Sequence, residues 1–62
     1  MKLPNNCRKI LLFRHEETWY QIVETRDMYI LYRVNNDDDY TQLATGNSPV
    51  KLEQRVYTGK VK

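Results

Sequence analysis

The 62-residue sequence has little of the chemistry that most enzymes and metal proteins need. It contains one cysteine, Cys7, one histidine, His15, and two isolated glycines, Gly46 and Gly59. A single cysteine excludes a disulfide within the chain, and two Cys/His ligands fall short of the four that a structural zinc site takes. Two isolated glycines exclude a glycine-rich phosphate loop. We therefore predict no enzymatic activity, no catalytic residue, no metal site and no cofactor.

Two local arrangements come closest to a reactive site, and both fall short of one. Cys7 and His15 are a nucleophile and a base by residue type, but no third group is placed to orient them. A calcium loop that began at Asn35 or Asp37 would lack both the central glycine and the final glutamate of an EF-hand. We interpret the aspartates at 37–39 as a solvated turn, and His15 as a surface turn residue.

Long hydrophobic runs are also missing. The longest apolar run covers only residues 10–13, far below the ~20 residues that cross a bilayer as a helix. The first six residues carry one lysine and no apolar segment of signal-peptide length. We expect a cytoplasmic protein with no membrane contact.

Charge is small overall but uneven along the chain, with a formal net charge of +2. The first 14 residues hold four basic and no acidic side chains, residues 15–39 are acidic, and residues 40–62 are basic again. If the two basic ends lie together in the fold, they form a modest basic patch. If they lie against the acidic middle instead, the opposite charges neutralise each other. The sequence leaves both arrangements open.

β-Formers dominate the first half of the chain. Residues 8–14 fit a short buried strand, and residues 18–23 and 28–34 fit two strands joined by a turn at Arg26-Asp27. If Thr25 lies opposite Met28, the register of this central hairpin runs from Glu24 opposite Tyr29 to Trp19 opposite Val34. The prediction that follows is two distinct sheet faces, because side chains alternate along each strand.

The two faces of the hairpin differ in composition. We expect the first face to build the core. It collects Trp19, Val23, Met28, Ile30, Tyr32 and Val34. The second face is half apolar and half polar, which is unusual for the wet side of a sheet. It collects Tyr20, Ile22, Glu24, Tyr29, Leu31 and Arg33.

The second half of the chain has two interpretations. An acidic loop at 35–39 precedes a strand at 40–45, and the turn residues 46–49 follow. Residues 50–57 then form a strand with Leu43 opposite Leu52, or a helix capped by Ser48, begun by Pro49 and closed by Gly59. The alternation of apolar residues favours the strand slightly, and on that basis we prefer it.

The predicted fold is therefore a mostly β antiparallel meander of four or five strands, with closure into a small barrel as one outcome. The alternative is an α+β fold, a β-sheet with one C-terminal helix. Residues 1–62 form one domain in either case, with loose ends at about 1–7 and 58–62.

The function predicted from the sequence is non-enzymatic binding. Tyrosine, tryptophan and arginine are enriched at protein interfaces, so we predict a protein partner or self-association, with a homodimer as one form. The predicted partner surface is the mixed face, through Tyr20, Tyr29, Arg33 and Glu24. Nucleic acid is the alternative partner, since surface tyrosines can stack on bases beside Arg and Lys.

Overall fold

The computed structural model describes residues 1–60, which form one four-stranded antiparallel sheet and one helix. The strands follow one another in the sheet in chain order. They are β1 (Arg8–His15), β2 (Thr18–Glu24), β3 (Tyr29–Asn36) and β4 (Asp39–Gly46), and the helix is α1 (Pro49–Tyr57). The predicted meander is confirmed. The sheet is open, so the α+β alternative describes this fold and the barrel does not.

The central hairpin of β2 and β3 has the predicted register. Glu24 lies opposite Tyr29, and the pairing continues without a shift to Trp19 opposite Val34. The Thr25 hydroxyl helps to close the turn, because it donates to the Met28 carbonyl and accepts from the Met28 amide at 2.8 and 3.1 Å. The two sheet faces inferred from this register are therefore present.

The hairpin of β1 and β2 is tighter and less regular. Its turn consists of Glu16 and Glu17, whose φ angles of 51° and 68° are those of a two-residue type I′ turn. Further along, Ile10 is an extra residue that bulges out of β1. The buried Gln21 side chain supplies hydrogen bonds next to the bulge. Its Nε2 donates to the backbone carbonyls of Leu11 and Ile22, both at 2.9 Å.

Residues 49–57 form a helix, so our preference for a strand there was wrong. Ser48 has extended backbone angles and its hydroxyl accepts from the Lys51 amide at 3.4 Å, with Pro49 at the first turn. Gly59 adopts φ 72°, and the amide of Lys60 bonds the Arg55 carbonyl at 2.9 Å. This is the Schellman geometry that ends many helices at glycine. The predicted pairing of Leu43 with Leu52 across a hairpin does not exist.

Helix α1 lies across the mixed face of the sheet. Leu52 and Val56, one helical turn apart, are buried against Ile22 and Leu31, which are both 0% exposed. The face that looked half-exposed in the sequence is thus covered by the chain's own last element. Nine residues span about 14 Å, and no helix within residues 1–60 has the length and apolar character needed to cross a membrane.

The opposite face is covered by residues 1–7, which we call the N-terminal strap. Its backbone starts at the outer edge of β4, where Met1 and Tyr40 exchange bonds of 2.9 and 2.7 Å. Leu3 and Cys7 of the strap then pack on a second buried cluster. The cluster consists of Val23, Ile30, Tyr32 and Tyr40.

Three of the six residues that we assigned to the core face are buried. Val23, Ile30 and Tyr32 are buried. Val34 is only half-buried. Met28 and Trp19 are 42% and 46% exposed, so their assignment to the core was wrong. The strap packs on the cluster with only Leu3 and Cys7, and it leaves the corner of the face at Trp19 open.

Candidate interaction surface

The predicted partner residues lie on one sheet face, but α1 packs on that same face. Glu24 and Tyr29 are half-buried at one end of it. The Arg8 guanidinium contacts Glu24 Oε1 at 2.6 Å, and the Tyr29 hydroxyl donates to Glu24 Oε2 at 3.2 Å. The hydrogen bond to this carboxylate, together with its charge, raises the pKa of Tyr29. Both oxygens of Glu24 are therefore occupied by the protein itself.

Tyr20 and Arg33 are cross-strand neighbours near the other end of that face. The Tyr20 ring stacks on Phe13 with ring centroids 5.4 Å apart. Arg33 is exposed, and its Nε donates to the Asn35 amide oxygen at 3.0 Å. The four predicted residues thus separate into two pairs that do not form one continuous surface.

A different group of side chains is exposed on the strap side of the sheet. We define the tryptophan patch as Leu12, Arg14 and Trp19. Arg14 lies directly opposite Trp19, and Val34 follows on the other side of the tryptophan, in one row across three strands. Leu12 is the next residue of β1 on the same face and is 57% exposed.

The tryptophan patch was missed because its exposure depends on a distant segment. The hairpin register places Trp19 on a core face, and nothing in the sequence tells how far the strap covers that face. Arg14 was assigned only to the end of a strand, and Leu12 to a buried run. A signal existed in the pairing of Arg14 with Trp19, which the β1–β2 turn at Glu16 and Glu17 dictates.

Basic side chains accompany the tryptophan patch. Lys9 lies on the same sheet face, opposite Val23, and is exposed like Arg14. Neither forms an ion pair within residues 1–60. An aromatic ring with unpaired cations nearby can accept a partner of acidic or mixed character.

Cys7 and His15 do not come together. Cys7 precedes the first residue of β1 and His15 is the last, so strand geometry separates them by about 25 Å. The Cys7 thiol donates to the Pro4 carbonyl at 3.1 Å, and the His15 ring meets Tyr57 edge-on with centroids 4.9 Å apart. The nucleophile–base pair considered from the sequence is therefore not assembled.

A surface hollow of about 260 Å³ lies beside the strap, between Lys2, Leu3, Lys9, Asp38 and Tyr40. Small-molecule sites more often enclose ~300–1,000 Å³ and surround their ligand. The hollow is open and carries charges of both signs, which is typical of a shallow depression between surface side chains.

No family model, no curated protein and no solved structure matches the chain. The site must therefore be interpreted from its own chemistry.

Proposed function

We propose that this protein is a non-enzymatic binding module that recognises a protein partner through the tryptophan patch. One observation carries the proposal. Trp19 lies near the start of β2, between Arg14 of β1 and Val34 of β3, with 46% of its surface exposed.

Tryptophan and arginine are the residue types most often found where a few side chains supply most of an interface's binding energy. A buried aromatic side chain removes 150–250 Å² from water, roughly. The half of Trp19 that is still exposed is a reserve of apolar surface that a partner can cover. Leu12 extends this apolar surface, and Arg14 adds a charge-assisted donor at its border.

The backbone of the tryptophan patch is fixed before binding. Leu12 and Arg14 belong to β1, Trp19 belongs to β2, and the two strands are joined by a two-residue turn. Gln21, two residues after Trp19 and on the same face, is buried and hydrogen-bonded. Little backbone entropy is lost when a partner binds to such a surface, which favours affinity.

Site-specific photo-cross-linking in the native host tests the proposal. A benzophenone amino acid replaces Trp19 in one variant and Tyr57 in the control variant. Tyr57 is a matched control because it is aromatic and 50% exposed, but lies on α1. We expect one dominant adduct with another protein from position 19 and not from position 57, and its loss when Arg14→Glu is added.

The same adducts from both positions would contradict the proposal, as would an adduct from position 19 that Arg14→Glu leaves unchanged. An adduct of twice the chain mass reports self-association and is scored separately from a partner adduct. Circular dichroism of each variant verifies that the sheet is intact.

Single-stranded nucleic acid is the second candidate, since Lys9 and Arg14 share the face of the exposed Trp19. Base stacking on an aromatic side chain beside phosphate-binding cations is the usual pattern for such binding. Fluorescence titration with a labelled 12-mer distinguishes this candidate. Binding that weakens steeply between 50 and 200 mM salt, by roughly the amount expected for two phosphate contacts, and that Trp19→Ala abolishes would favour it.

A further inference from the structure

Strand β1 contains the most apolar run of the sequence, yet none of its residues is buried. Ile10, Leu11 and Phe13 are half-buried, and Leu12 is more than half exposed. The helix packs mainly over β2, β3 and β4. An apolar strand that is left partly open at the edge of a sheet is suited to pair with another strand.

The outer edge of β1 is unpaired within residues 1–60, because β1 is the first strand of the sheet order and has a neighbour only on the β2 side. The pair of His15 and Thr18 closes the two-residue turn. In such a hairpin the closing pair bonds inward, so the backbone groups of Arg14 and Leu12 point away from β2. They are available to an added strand.

Charges around β1 follow an order that suits antiparallel self-pairing. The strand begins with the basic Arg8 and Lys9, and the acidic Glu16 and Glu17 follow its end. An antiparallel copy of β1 brings the beginning of one strand to the end of the other. Lys9 of each copy then lies beside the glutamates of the second copy.

Register decides whether the charges attract. With the two-fold axis at Phe13, Leu12 lies opposite Arg14 of the second copy. Lys9 then lies opposite Glu17 if every residue is counted, or opposite Glu16 if the bulged Ile10 is left out of the pairing. With the axis at Leu12, Lys9 meets Arg14 or His15 instead, and like charges oppose each other. The charge pattern therefore selects the axis at Phe13.

We propose that two copies of this chain associate by antiparallel pairing of β1 with β1 about a two-fold axis at Phe13, which forms one continuous eight-stranded sheet. The pairing covers the half-exposed residues 10–13 and brings the two tryptophan patches onto one face. It also gives Lys9 and Glu17 ion-pair partners, which they lack within residues 1–60. Glu16 already lies 3.6 Å from the His15 imidazole.

Sedimentation velocity of the full chain over a concentration series is the first test. We expect a reversible monomer–dimer equilibrium. Lys9→Glu, and separately the double variant Glu16→Lys/Glu17→Lys, should each weaken dimerisation by about tenfold, because each replaces attraction across the axis by repulsion at two symmetric positions.

An equimolar mixture of Lys9→Glu with Glu16→Lys/Glu17→Lys is the decisive experiment. In the mixed dimer every cross-axis pair is again of opposite sign, so we expect dimerisation to return to the wild-type level. Lys51→Glu, an exposed change of the same charge on α1, is the matched control and should leave the equilibrium unchanged. Melting curves of each variant verify folding.

A wild-type chain that is monomeric up to about 1 mM would overturn the proposal. Failure of the mixture to restore the dimer would overturn the β1 pairing and its register. Trp19→Ala should preserve the dimer, since Trp19 lies on β2 and not at the pairing edge. The dimer and the partner-binding function are thereby tested separately.

Discussion

The two faces of the sheet are closed in different ways. One face is covered by a capped helix that contributes Leu52 and Val56 to the core. The other is crossed by the N-terminal strap, which contributes only the half-buried Leu3 and Cys7. Under the helix, the tyrosines pack or bond to neighbouring side chains. Beside the strap, Trp19 stays half exposed.

The difference shows where a small domain leaves surface for binding. A helix with a buried stripe covers a broad area of sheet, whereas an irregular segment of seven residues covers a narrow band. On the helix side Tyr20 and Tyr29 are half-buried, whereas on the strap side Tyr32 is buried and Trp19, beyond the reach of the strap, stays exposed. The three predictions below follow from this contrast, from the largest expected effect to the smallest.

Leu52→Ala should have the largest effect on stability. Leu52 is almost fully buried and fills the space where a side chain at Gly46 would begin, so truncation leaves a cavity between helix and sheet. We expect a loss of ~2–5 kcal/mol in the free energy of unfolding, measured by urea denaturation. Val50→Ala on the same helix is the control, because Val50 is exposed, and it should cost less than ~0.5 kcal/mol. Equal effects of the two variants would contradict the assignment of Leu52 to the core.

Leu3→Ala should cost less, because the strap buries Leu3 only in part. We expect roughly 1–2 kcal/mol by the same measurement, with faster amide exchange at Tyr40, whose amide bonds the Met1 carbonyl. Asn5→Ala, at an exposed strap position, is the control. A loss as large as that of Leu52→Ala would show that the two faces are closed equally firmly.

The smallest expected effect is on how stability depends on pH. The hydrogen bond to the Glu24 carboxylate, with its charge, raises the pKa of Tyr29 above its ordinary value of about 10. The folded state therefore holds this proton more tightly than the unfolded state. The resulting stabilisation is complete below pH ~10 and is lost as the pH rises through the raised pKa.

The difference between the 295 nm absorbance titrations of the wild type and Tyr29→Phe isolates this pKa from those of the other four tyrosines. Glu24→Gln should move it back towards about 10, and Tyr29→Phe should remove that step from the titration and flatten the fall of the melting temperature between pH 9 and 11. A wild-type titration that Glu24→Gln leaves unchanged would show that the bond does not persist in solution.

The central hairpin could be predicted because its evidence is local and redundant. Two strands of β-formers around a short turn favour the register that keeps Ile22 opposite Leu31 and Val23 opposite Ile30. The bulge at Ile10 was not predictable in the same way. It depends on the Gln21 amide reaching the Leu11 carbonyl, which is a contact between strands and leaves no periodic signal.

The C-terminal helix shows which local signals deserve more weight. Val50 and Leu52 fit a strand period, and Leu52 and Val56 fit a helix period, so hydrophobic spacing alone is ambiguous. Ser48 and Gly59 provide a cap at each end, and both act as caps in the structure. The tryptophan patch contains none of the predicted partner residues, since its exposure depends on how α1 and the strap cross the sheet.

The bonds between Met1 and Tyr40 have a consequence for growth of larger assemblies. They occupy the outer edge of β4 at Tyr40, the edge opposite to β1 in the sheet. Head-to-tail addition of β1 to β4 of the next molecule would have no natural end and would build a filament. A strand that adds to β4 at Tyr40 must first displace Met1, so the strap hinders head-to-tail addition there. The proposed pairing through β1 alone, in contrast, would close at two molecules.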